Sequence, residues 1–177
     1  MSLAGLLAWV LAALSVVPVP VGTAGHRPAA ALNDGSPVAG MACASAGDRF
    51  PVHVEVFAAG RAAVVPAGIG IAPPVRRSGA YVTGGSCRYP LVTTEPTGVV
   101  WVRAGRPRTL GDLFVLWGQP LGRWRLLGFD GRVSVTVDGR GYRGDPRTLP
   151  LQERSQIVVQ VGRHVPPHPA YRFPGDR

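Results

Sequence analysis

His53 and Glu55 are the residues of this chain whose types and spacing come closest to chemistry. They stand two apart in the run Val52 to Phe57, where Val52, Val54 and Val56 alternate with His53, Glu55 and Phe57. That alternation is the pattern of a strand, and alternate strand residues share a face. Imidazole and carboxylate would then sit side by side, and both are donors that zinc or copper accepts. Two donors do not make a site, because a structural zinc takes four protein ligands and a catalytic one takes three plus water. The plain alternative is a polar, partly solvated strand face. His164 and His168 have the four-residue spacing that chelates on a helix, but Pro166 and Pro167 lie between them. In a polyproline segment rising ~3.1 Å per residue, two such imidazoles stand about 12 Å apart, too far to share an ion.

Other chemical motifs are weaker still. Gly139-Arg140-Gly141-Tyr142-Arg143-Gly144 fits GxGxxG, but a dinucleotide site needs that run between a strand and a helix. Here Asp145-Pro146 follows, so a Gly-rich hairpin is expected. No GxSxG elbow occurs, and Glu55, Glu95 and Glu153 are the only glutamates. Asp145 stands beside Pro146, a turn position where Asp commonly serves the backbone. The expectation is a protein that is not an enzyme, with no catalytic residues and no cofactor-binding motif. Cys43 and Cys87 are the only cysteines. In an exported chain such a pair oxidises, and closing the loop stabilises by about 4 kcal/mol in the chain-entropy account. Two separate buried thiols are the alternative, and no CxxC redox motif is present.

The elements that must position these residues are mostly short. After the strand at residues 52–57, Ala59-Gly60 reads as a turn and Ala62 to Val65 as its return. Pro66 to Pro74 and Val75 to Ser86 read as two Gly-containing loops. Cys87 to Thr93 and Val99 to Arg103 are further strand candidates. One good helix is expected over 109–118. Thr109 can cap it, Asp112 suits its first turn, Gly118 can close it, and Leu110, Leu113, Phe114 and Trp117 share one face. Val133, Val135 and Val137 alternate as a strand, Asp138-Gly139 makes a hairpin turn, and Tyr142 starts the return. Ile157 to Val161 is the last strand, and a Pro-rich tail closes the chain. No internal repeat is apparent.

The composition bounds the class. In 177 residues, 46% are hydrophobic and 16% charged, which excludes a disordered chain. Gly (24) and Pro (18) imply many turns and few long helices. A coiled coil, a multi-span membrane protein and a large multidomain enzyme are excluded. The net charge is +9, and all 19 basic residues are Arg. With so much Ala, Gly, Pro and Val, that skew points to a GC-rich genome. The arginines are scattered, and only Arg123-Trp124-Arg125 interleaves an aromatic. No basic helix or RNA-binding signature appears, so specific nucleic-acid recognition is not expected, whereas loose attraction to an anionic surface is.

Leu3 to Val17 is apolar except for Ser15, Pro18 and Pro20 follow, and then come Gly22, Thr23, Ala24 and Gly25. This reads as a secretory signal over residues 1–24, cleaved after Ala24. An uncleaved N-terminal membrane anchor is the alternative, although the run is short for a span of about 20 residues. No basic residue precedes Leu3, so the amino terminus supplies the only positive charge or the true start lies upstream.

Five runs together are specific: Pro66-Ala67-Gly68-Ile69-Gly70-Ile71, Cys87-Arg88-Tyr89, Thr109-Leu110-Gly111, Trp117-Gly118-Gln119-Pro120-Leu121 and Gly144-Asp145-Pro146-Arg147. In these the chain resembles a family of exported or membrane-anchored actinobacterial proteins without an established function, over about Val38 to Pro174. Typical members carry an HxHxH strand and an HTHD segment, clusters that look like a transition-metal site. On this chain those positions are Pro51, His53 and Glu55, then Val92, Thr93, Thr94 and Glu95. Further histidines of the family fall at Trp101 and Arg154. The resemblance therefore implies the fold and the disulfide, and a metal site that has been lost or weakened. His53, Glu55 and Glu95 are what remains of it.

The expected fold is α+β, mainly an antiparallel sheet with hairpins and one short packed helix. A flexible linker over residues 25–46 leads into one β-rich domain over 47–177, with Cys43–Cys87 tying the entry segment to the sheet. The expected function is a non-enzymatic binding or structural role in the cell envelope, outside the cytoplasm. Its partner would be an envelope protein or an anionic surface, and membrane contact would come only through an uncleaved N-terminal segment. The alternative is an envelope copper or zinc protein with a degenerate site at His53, Glu55 and Glu95.

Overall fold

The strand around His53 turns its valines inward: Val52, Val54 and Val56 are all buried. The computed structural model describes residues 34–44, 47–166 and 171–173. Within them the strands of the first half are β1 (Arg49–Ala58), β2 (Arg61–Ala63), β3 (Arg76–Ser78), β4 (Tyr81–Gly84), β5 (Leu91–Val92) and β6 (Val99–Arg103). Then follow α1 (Leu110–Trp117), β7 (Arg125–Leu126), β8 (Phe129–Asp130), β9 (Val133–Val137), β10 (Arg140–Tyr142) and, after a 3-10 turn at Pro146–Thr148, β11 (Gln156–Val161). The fold is β-rich α+β. The signal or anchor expected over 1–24 lies outside the described residues. No described helix is long and apolar enough to cross a membrane.

Seven strands form the main sheet in the order β10-β9-β11-β1-β6-β5, with β2 also on β1. The length of β1 lets it serve different partners along its two halves. Its first half runs antiparallel to β6, with Arg49 opposite Arg103 and His53 opposite Val99. Its second half runs parallel to β11, from His53 opposite Gln156 to Ala58 opposite Val161. Among the described residues this is the one parallel pair in the sheet. A parallel pair needs a long crossover, and here it takes the whole run between β1 and β11, α1 included. Asp138 and Gly139 turn β9 into β10 with φ of 49° and 76°, the double positive φ of a type I′ hairpin. The GxGxxG run is therefore a hairpin, as the turn chemistry suggested.

The helix forms where its caps dictate. The Thr109 hydroxyl accepts from the Asp112 N–H, the Asp112 carboxylate accepts from the Thr109 N–H, and Gly118 closes the helix at φ 70°. Leu110, Leu113, Phe114, Leu116 and Trp117 are buried among Val52, Val54, Leu91 and Val100. The sheet's other face carries a smaller cluster of Ile71, Val82 and Val92, with Trp101 against it.

Three segments differ from the sequence expectation. The loop expected at Val75 to Ser86 contains the hairpin β3–β4. Of its strand residues only Val82 and Gly84 are buried, so no apolar alternation betrayed it. The strand expected over Cys87 to Thr93 shrinks to Leu91–Val92, because Arg88 bridges singly to Ala44 and Ile71 and Pro90 has no N–H to give a ladder. The segment expected as linker over 25–46 is packed where it is described, at residues 34–44. Met41 is fully buried in the main core, Ala44 and Arg88 exchange backbone hydrogen bonds, and the Tyr89 hydroxyl donates to the Ser36 carbonyl at 2.6 Å. A lone Met among Ala and Gly carries no periodicity, so nothing in the pattern marked it as core.

Candidate functional site

The alternation that buries Val52, Val54 and Val56 sends Arg49, Pro51, His53 and Glu55 to the opposite face of β1. The register adds Arg103, Trp101 and Val99 from β6 and Gln156 and Val158 from β11 to that face. Val92 pairs with Trp101 and joins them. Pro51, His53, Glu55, Val92 and Trp101, five of the positions marked by the resemblance, thus share one side of the sheet. That face is mostly apolar or cationic.

His53 is enclosed. The residue is 5% exposed and Nε2 lies 3.0 Å from the Thr97 carbonyl, so that nitrogen carries the proton and donates. Tyr171 lies parallel on the ring, with centroids 3.7 Å apart. Gly98 backs it with φ +82°, where a Cβ would come within 2.5 Å of the Val54 carbonyl and 3.2 Å of His53 Nε2. Nδ1 is 3.8 Å from Glu55 Oε1. Glu95 acts on the ring that covers His53: burial first, then the Glu95 charge, raises the Tyr171 hydroxyl pKa, while a hydrogen bond with Thr97 works the other way. The structure therefore brings His53 and Glu55 together, and the Glu95 charge is felt at the Tyr171 hydroxyl.

These residues do not fit a copper or zinc ion. A zinc site needs at least three protein donors, and among the described residues no three His, Cys, Asp or Glu side chains are grouped to hold a metal. His53 Nε2 already faces a carbonyl, and the ring face is covered. Arg154 lies over Phe173 with its guanidinium 5.0 Å from the ring centroid. Phe173 in turn meets Tyr171 edge-on at 5.1 Å.

The other candidates are occupied structurally. His164 Nδ1 accepts from Gln160 Nε2 at 3.1 Å, and the Val165 N–H donates to the same amide's oxygen at 2.8 Å. His168 lies outside the described residues. Arg123 and Arg125 approach Asp145 and Asp130 at 3.9 Å each, and Trp124 between them is exposed. Cys43 and Cys87 form a disulfide.

A cluster that the sequence reading missed lies beside that disulfide. Arg49 donates to the carbonyls of Pro90, Trp101 and Tyr89 at 2.9, 3.3 and 2.8 Å. Arg103 donates to those of Ala44 and Arg88 at 3.0 and 2.9 Å. Arg88 makes one long bond, 3.4 Å, to the Thr83 carbonyl. Among the described residues no carboxylate forms an ion pair with any of the three. Burial, with Arg103 and then Arg88 adding repulsion, pushes the Arg49 pKa down to about 10. Arg49 and Arg88 line a cavity of about 380 Å³ together with Val92, Thr94 and Trp101. The strand reading at 99–103 placed Arg103 at a strand end, but only the β1–β6 register puts Arg49 opposite it.

A disulfide-stapled, β-rich α+β domain with an arginine-lined cavity is the class that fold and site define. No protein-family model, no curated protein and no solved structure matches the chain.

Proposed function

We propose that this is an exported, non-enzymatic protein of the cell envelope that works by binding, with an anionic surface as its partner. The observation that carries the binding role is the convergence of Arg49, Arg88 and Arg103 with no carboxylate paired to them among the described residues. Like charges held together at a half-buried site cost stability, and a fold gains from an outside anion that offsets them. Three features support export: the Cys43–Cys87 bond, since structural disulfides persist in oxidising compartments, the apolar Leu3–Val17 run, and the resemblance to envelope proteins. The net charge of +9 adds long-range attraction to anionic polymers and lipids.

The test uses the full oxidised chain and vesicles. Sedimentation with phosphatidylglycerol vesicles is compared with sedimentation on phosphatidylcholine vesicles, at low and high salt. The neutral vesicles register any insertion of the apolar N-terminal run. The expected result is an excess bound to the anionic vesicles that high salt removes. Equal binding to both lipids, or an excess insensitive to salt, overturns the proposal.

A further inference from the structure

We propose that the cavity between Arg49, Arg88, Thr94 and Trp101 is a binding site for a small organic oxyanion, a phosphate or carboxylate carried on a flat or apolar body. This rests on the anion-binding reading above and narrows it from a surface to a site.

Arg49 and Arg103 face each other across β1 and β6, and each is tied to backbone carbonyls by two or more bonds. Their positions are fixed by the sheet, so the positive potential is in place before any ligand arrives. Arg88 differs. Its neighbour Cys87 is anchored by the disulfide and its own backbone is paired to Ala44, yet among the described residues its guanidinium holds only the 3.4 Å bond to Thr83. A guanidinium has five N–H donors in a planar fork that matches carboxylate and phosphate oxygens. Arg88 therefore keeps most of its donors for a ligand, at a place the backbone fixes.

The walls define the rest of the ligand. Thr94 supplies a hydroxyl, and Trp101 and Val92, paired across β5 and β6, supply a flat and an apolar surface. A volume of about 380 Å³ lies at the small end of ligand sites, which run to roughly 300–1,000 Å³. It suits a head group with one ring or a short chain, not a polymer segment. A cation is repelled by the arginines, and a neutral guest leaves their charge uncompensated.

The experiment is calorimetry of the full oxidised chain with phenyl phosphate, benzoate, inorganic phosphate and benzyl alcohol. Phenyl phosphate and benzoate are expected to bind. Inorganic phosphate should bind about tenfold more weakly than phenyl phosphate, and benzyl alcohol not detectably. Arg88→Gln, which gives up one long bond and leaves the carbonyl ties of Arg49 and Arg103 alone, should weaken phenyl phosphate about tenfold or more, with Arg88→Lys between the two. An unchanged near-ultraviolet circular dichroism spectrum confirms that the variant is folded. Absence of phenyl phosphate binding overturns the site, as does undiminished binding by folded Arg88→Gln or equal binding of benzyl alcohol. The vesicle assay separates the two claims. A salt-sensitive vesicle excess without phenyl phosphate binding leaves the envelope reading standing and the site refuted. Binding of phenyl phosphate that Arg88→Gln abolishes, without a vesicle excess, does the reverse.

Discussion

Tyr171 covers His53: the two rings stack with centroids 3.7 Å apart and planes 9° apart. The contact joins the end of the chain to the centre of the sheet, and Gln156 Nε2 holds the Tyr171 carbonyl at 3.0 Å. Aromatic pairs contribute about 0.5–1.5 kcal/mol beyond their burial. Tyr171→Ala should therefore destabilise the fold by about 1–2 kcal/mol in urea unfolding. It should also speed acylation of His53 by diethyl pyrocarbonate, read by peptide mapping, whereas Tyr171→Phe keeps the stack and leaves that rate near the parent's. A rate unmoved by Tyr171→Ala would mean that the stack does not shield the imidazole.

Cys43–Cys87 closes a loop of sequence separation 44. The chain-entropy account assigns such a closure about 4 kcal/mol. The bond also holds the entry segment, whose Met41 is fully buried in the core. Cys43→Ser with Cys87→Ser should lower stability by about 2–4 kcal/mol and expose Met41 to peroxide oxidation. Equal unfolding midpoints with and without reductant in the parent chain would refute it.

The legible parts of this fold were those whose evidence is local. Thr109, Asp112 and Gly118 mark both ends of α1 within ten residues. Asp138-Gly139 marks its hairpin by turn chemistry alone. The alternation at 52–57 correctly put His53 and Glu55 on one face. What stayed hidden was long-range. The parallel pairing of β1 with β11, the Tyr171 stack on His53 and the placing of Arg49 opposite Arg103 each join residues far apart in the chain, and no periodicity records a register. The hairpin β3–β4 was hidden for another reason, since its exposed Arg76, Arg77 and Ser78 look like loop.

Asp145 gives the fold an acid limb. The Arg147 guanidinium bonds its carboxylate and the Arg147 N–H donates to it, and together they hold its pKa down at about 2. A carboxyl depressed by folding stabilises above its unfolded pKa of about 3.9, and that stability fades as pH falls toward its folded value. The loss should therefore run between about pH 4 and pH 2. Asp145→Asn should flatten the acid unfolding curve in that window and cap the Pro146–Thr148 turn less well. If the variant's curve parallels the parent's across the window, Asp145 is not the group responsible.

Arg49 sets the opposite limb. Burial, then Arg103 and Arg88, push its pKa from the ordinary guanidinium value down to about 10. A base whose charged form is disfavoured by folding binds more protons when unfolded, so stability contributed by this group rises with pH in the window above about 10. Below that window its charge is a standing cost, and an anion seated in the cavity offsets it. At neutral pH, phosphate should raise the melting temperature more than chloride at matched ionic strength. Phosphate stabilises many folds by exclusion from their surface, so the decisive quantity is the difference between the parent and Arg88→Gln. Exclusion acts on both alike, whereas site binding is lost with the Arg88 guanidinium. Arg49→Gln should also lose the phosphate increment, while costing about 1–3 kcal/mol for the carbonyls of Pro90, Trp101 and Tyr89 that it leaves short of a donor. Phosphate increments equal in the parent and in Arg88→Gln would show that the arginines are paired well enough by the backbone and await no anion.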